Sequence, residues 1–186
     1  MFEGTTANTN INLYSLAQTI AVTDPLNPPT EFFLGGISEG KSYQVIVRDE
    51  DAHGNVNQNT NYKTVAVDDL TPPNFLGLSS LSQGTSGRED TELTVNFQTI
   101  ALEANDPNGA HEYVIYWKQS VANDVCENHD GSKTVAANTL AANQPVSVVI
   151  DGLNEKTVYS VCVRASDSAG NFSTNSNFLI LSLIHI

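Results

Sequence analysis

The stretch Val47–Asn55, VRDEDAHGN, occurs a second time at Val163–Asn171 as VRASDSAGN. Upstream, Gly36-Ile-Ser-Glu39 reappears as Gly152-Leu-Asn-Glu155, an offset of 116 residues (152 − 36). The register holds without a gap for about 25 residues, the mark of a repeated structural unit. Tyr43 falls on Tyr159, Val45 and Val47 on Val161 and Val163, and Arg48 on Arg164. Asp51 falls on Asp167, Gly54-Asn55 on Gly170-Asn171 and, farther on, Tyr62 on Phe178. Tyr43, Val45 and Val47 alternate, which places them together on the core side of a strand. Asp51 to Asn55 reads as a turn: the Asp carboxylate can accept from nearby backbone N–H groups, and Gly and Asn tolerate positive φ. The run ending Tyr62-Lys-Thr-Val-Ala-Val67 supplies the second strand of a hairpin.

Working outward, Asp68-Asp-Leu-Thr-Pro-Pro-Asn-Phe75 separates the copies. Its paired prolines cannot sit in a central strand and stiffen an extended segment, so residues 69–74 read as a linker. Beyond it, Leu93-Thr-Val-Asn-Phe97, Tyr113-Val-Ile-Tyr-Trp117 and Val146-Ser-Val-Val-Ile150 are β-prone runs bounded by turn residues. An all-β chain is expected. Its net charge of −13, 21 acids against 8 bases, argues against nucleic acid and anionic membrane surfaces as partners. No apolar run approaches the roughly 18 residues of a membrane helix.

The Pro72-Pro73 lead-in, Val95-Asn-Phe97, Tyr113-Val-Ile-Tyr116 and Leu153 six residues before Tyr159 together resemble fibronectin type III domains arranged in tandem, as in bacterial extracellular proteins. Alternating Val161-Cys-Val163 and the Asp167-to-Asn171 turn belong to the same resemblance, with Tyr43 and Tyr159 at the tyrosine corner. It implies an immunoglobulin-like β-sandwich, with cadherin-like sandwiches the nearest rivals. Two departures stand out: Phe97 occupies the family's usual tryptophan position, Trp117 lying on strand C instead, and the offset exceeds the family span of roughly 100 residues. The additional residues are placed in Ala101–Ala110 and Ser120–Gly131. The implied organisation is a partial domain at 1–68 lacking strands A and B, the linker, and a complete domain at 75–180. Met1 then reads as internal to a longer chain. Leu181-Ser-Leu-Ile-His-Ile186 matches the translation of a transposon mosaic-end sequencing adapter and reads as a non-native tail, a native final strand being the alternative.

The same resemblance implies an extracellular or surface location, with signal peptide and anchor outside this sequence, and a non-catalytic spacer or adhesion role. Neighbouring domains of the parent chain, a cell-surface protein or a glycan would be the partners. An accessory module of a polysaccharide hydrolase, touching sugar through Tyr116, Trp117 and His111, is the alternative. A calcium-rigidified adhesin is the second. Cys126, in the insertion after strand C, and Cys162, outward-facing on strand F, are expected to pair, since an even count in an extracellular domain favours oxidation. Closing that loop would stabilise by roughly 4 kcal/mol in the chain-entropy view, and two free thiols remain the alternative.

Other chemistry has little support. Asp49, Asp51 and Gly54 fit EF-hand positions 1, 3 and 6, but His53 stands where oxygen is needed and Thr60 where the bidentate Glu belongs. The second copy replaces Asp49 by Ala165 and Glu50 by Ser166, keeping only the turn-forming set. Linker acids Asp68 and Asp69, joined by Glu39 or by loop acids such as Asp151, are a lesser calcium candidate. No resident cofactor or metal is expected. The four histidines are scattered, and no hydrolase, P-loop or dinucleotide motif occurs.

Overall fold

The computed structural model describes residues 2–3, 31, 33–103 and 108–183. The chain divides into two compact units, Met1–Leu70 and Thr71–Ile186. The first contains β1 (Phe2–Glu3), β2 (Ser42–Val45) and β3 (Lys63–Ala66). The second contains β4 (Leu78–Gln83), β5 (Leu93–Gln98), β6 (Glu112–Lys118), β7 (Gly131–Ala136), β8 (Pro145–Ile150), β9 (Val158–Ser166) and β10 (Phe178–Ser182).

The second unit is a two-sheet antiparallel sandwich, with strand orders β4-β5-β8 and β10-β9-β6-β7. Labelled A to G, these are A-B-E against G-F-C-C′, the fibronectin type III arrangement. Alternation explains each inner face. Leu93, Val95 and Phe97 of β5 are buried together, as are Tyr113 and Ile115 of β6 and Tyr159, Val161, Val163 and Ala165 of β9. Phe97 fills the centre of the core, meeting Phe75 edge-on at 5.9 Å and Tyr113 at 5.0 Å between ring centroids. Burial raises the Tyr113 phenol pKa, opposed by the Ile100 N–H that donates to its oxygen.

β4 and β10 belong to different sheets but run side by side in the same direction. Asn177 Nδ2 donates to Leu76 O near their starts, and Gln83 Nε2 donates to Ser182 O near their ends, at 3.3 Å. The chain therefore enters the sandwich at one end and leaves at the other. Leu181 and Ser182, placed in a tail by their sequence, are the last residues of β10, opposite Tyr159 and Val158. Leu183 is fully buried and its N–H donates to Thr157 O. Ile184, His185 and Ile186 lie outside the described residues.

The contacts of this strand pair recur in the first unit at the same offset. Asn154 N–H donates to the Tyr159 hydroxyl at 2.9 Å, and Ser38 N–H to the Tyr43 hydroxyl at 2.8 Å. Tyr159 faces Leu181 as Tyr43 faces Val65. Gly170 and Gly54 both take positive φ, 91° and 83°, which a residue with a Cβ adopts only with strain. Asn171 and Asn55 each donate to both oxygens of the turn aspartate, Asp167 or Asp51. The isolated bridges Ser166↔Phe172 and Glu50↔Val56 also correspond.

Burial recurs only in part. Tyr43 is 4% exposed, but Val47, expected in the core, is 64% exposed and Val65 is 50% exposed. β2 stops at Val45, and among the described residues no second sheet faces β1-β2-β3. Val47 follows the end of β2, and among the described residues no layer lies over it.

Replacing Tyr159 by Phe removes the hydroxyl that Asn154 N–H uses while keeping the buried ring. Urea unfolding should show a loss of about 1–2 kcal/mol for the second unit, and calorimetry a melting temperature lower by about 3–6 °C.

Candidate functional site

The most constructed surface of the second unit is the outer face of β10-β9-β6-β7. Residues 119–130, between β6 and β7, fold back over it. Cys126 and Cys162 are joined as a disulfide, with Cα atoms 5.5 Å apart. With Val125 they form a cluster separate from the sandwich core, backed by Tyr116 and Phe178. Ser160, fully buried, accepts from Ala122 N–H at 2.9 Å and donates to Ser120 O at 2.7 Å. Gln119 N–H donates to Asp130 Oδ2 at 2.7 Å, closing the base of the segment. His129 lies over Tyr116 at 4.4 Å between ring centroids. Burial raises the Tyr116 pKa, with Arg164 opposing and Glu112 adding to the shift. Arg164 pairs with Glu127. A surface ion pair of this kind contributes at most about 1 kcal/mol. Sequence gave the cysteines but neither Ser160 nor the Tyr116–His129 contact, because both depend on where the segment folds back.

Trp117 occupies the other face of β6, half-buried against the sandwich core beside β7. Gly131 lies directly opposite, where a Cβ would sit 2.5 Å from two Trp117 ring carbons. Tyr116 and Trp117 therefore point to opposite sides of one sheet, and His111 stands just before the other end of β6. The three aromatic groups named by sequence share no surface.

His111 lines a cavity of about 340 Å³ with Leu102, Glu103, Ala110, Asn138 and Ser168. Its carboxylate is already engaged: Glu103 accepts from Ser168 N–H at 2.8 Å and Ser168 Oγ at 2.6 Å, with His111 Nδ1 3.9 Å away. The serine proton is directed to the carboxylate rather than the imidazole, so these groups do not form a nucleophile–base pair. The arrangement ties the β9–β10 turn to the β5–β6 loop.

In the first unit, Asp51 spends its carboxylate on Asn55 and on His53 N–H. The Asn55 side chain, then the Asn55 and His53 backbone N–H groups, hold the Asp51 pKa below its usual value. Among the described residues, no group of three or more His, Cys, Asp or Glu side chains is arranged to hold a metal.

No protein-family model matches the chain, and no curated protein matches it. Among solved structures it is similar to the chicken CNTN1 FN1-FN3 domains, at 18% identity and a TM-score of 0.44, covering 79% of this chain and 44% of that one. It is also similar to domains d3-d4 of the rat CD45 extracellular region, at 10% identity and a TM-score of 0.44, covering 91% and 78% respectively. The chain thus spans less than half the length of the first. Strand order and core composition define the fold.

Gly131→Ala should destabilise the second unit by about 1–3 kcal/mol through overpacking against the indole, read by urea unfolding followed through Trp117 fluorescence. For Asp51, a proton titration by NMR should give a midpoint below the ordinary carboxylate value of about 3.9. Because the folded value is depressed, its contribution to turn stability is present above the unfolded pKa and is lost as pH falls through the folded one.

Proposed function

We propose that this chain is a non-catalytic extracellular spacer or adhesion segment of a larger secreted or surface-anchored bacterial protein, built from tandem fibronectin type III-like domains. The observation that carries this reading is the parallel course of β4 and β10, which brings the chain in at the Leu76 end and out at the Ser182 end. A domain threaded this way extends a string rather than folding it back. The recurrence of the tyrosine-corner and turn contacts at one fixed offset supports a second domain of the same kind in residues 1–68. The polar groups best placed for chemistry support the non-catalytic reading too: Glu103, Ser168, Asp167 and Asp51 are committed to holding loops.

End-to-end fusions of residues 71–183 test the spacer role. Small-angle scattering should show a maximum dimension that grows linearly with copy number, and compact growth would refute it. Titration with cellulose, xylan, chitin and starch should give no saturable binding; saturation would favour the hydrolase-accessory role. A melting temperature raised by millimolar calcium would favour the calcium-rigidified adhesin.

A further inference from the structure

We propose that residues 119–130 form a redox-latched flap, which the Cys126–Cys162 bond holds closed over the outer face of the second unit's sheet and which a dithiol reductant releases without unfolding the sandwich. The flap's apolar contacts form a cluster of their own, Val125 with the two cysteines, backed by Tyr116 and Phe178. None of these five belongs to the main core or packs against it. Among the described residues, its other ties to the sandwich are polar or peripheral: the Ser160 hydroxyl, the Tyr116–His129 contact, the exposed end of the Arg164–Glu127 pair and, at the base, Asn154 Nδ2 donating to Gln119 Oε1 and Asp130 N–H to Trp117 O. Opening it therefore leaves β4-β5-β8 packed on β10-β9-β6-β7.

A second arrangement of the same framework is present in the first unit. There Arg48, the counterpart of Arg164, donates from Nε to Asn59 O at 2.8 Å. The corresponding carbonyl is that of Asn175. Arg164 does not use it: the guanidinium reaches Glu127 on the flap, and its buried Nε makes no hydrogen bond. Flap closure thus holds Arg164 in an incompletely satisfied position, and release allows the Arg48-type bond. Ile46 and Gln44 stand where the second unit has Cys162 and Ser160, so the first unit lacks both the latch and its hydroxyl anchor.

The chemistry is thiol–disulfide exchange. A thiolate of the dithiol attacks the Cys126 sulfur, the residue that reaches the surface at 9% exposure while Cys162 has none. The S–S electron pair leaves on Cys162, which takes a proton. The second thiol then attacks the mixed disulfide, closing the reductant's own disulfide and freeing Cys126 as a thiol. Two electrons and two protons pass to the protein.

Hydrogen exchange of the whole chain with and without dithiothreitol tests this, with mass spectrometry reporting free thiols. Amides of residues 119–130, those of Gln119 and Ala122 included, should exchange roughly 10²- to 10³-fold faster after reduction. Amides of β5, β6 and β9, and of residues 46–59, should keep their protection. Cys126→Ser should show the same open flap without reductant. Three results would overturn the proposal: a bond that resists dithiothreitol in the folded protein, a flap that stays protected with both thiols free, or parallel loss of protection in β5 and β9. In the last case the bond is a staple of the entire sandwich, and the serine variant would fail to fold.

Discussion

Everything ordered in the second unit depends on one requirement: each sheet has an apolar face that only the other can hide. Leu93, Val95 and Phe97 present one side, and Tyr113, Ile115, Val161 and Val163 the other. Burial of about 1.5–3 kcal/mol per large side chain drives the pairing. The polar contacts then fix its geometry. The tyrosine corner, the Asp–Asn turn and the Glu103–Ser168 tie connect elements that core packing has already brought close.

Among the described residues, the first unit shows the same tyrosine-corner and turn contacts with no second sheet against them. Its tyrosine corner and turn are intact, so these contacts are set by the strand pair and its loops. Val65 matches Leu181 in register but is more exposed, and Val47, the sequence counterpart of buried Val163, is exposed beyond the end of β2. Asp49 occupies the place of buried Ala165 and is exposed. A carboxylate is tolerable there because water reaches it; beneath a closed second sheet its desolvation would be costly.

The outer face of the second unit adds a smaller layer over one sheet. Its insertion turns an otherwise solvated surface into a covered one, using one covalent bond and a few polar contacts. The fully buried Ser160 shows the economy of the arrangement, since its single hydroxyl serves both a flap carbonyl and a flap N–H. Arg48 and Arg164, at corresponding positions of the repeated stretch, make different contacts: one to Asn59 O, the other to Glu127 on the flap.

The strands, the turns and the repeat register were legible in the sequence because they are local. Alternation follows from strand geometry, turn residues from φ and side-chain reach, and the 116-residue offset from identity alone. Phe97 could be placed on an inner face for the same reason. Burial was not legible at Val47, because alternation says which side a residue faces and not whether another layer lies there. The cysteine pair could be named, but its proximity depends on the path of residues 119–130, which no spacing rule fixes. The separation of Tyr116, Trp117 and His111 likewise came from strand direction and sheet faces. Sequence determined the parts and their periodicity; tertiary structure decided which faces met, since burial and bonding require a partner that only folding brings within reach.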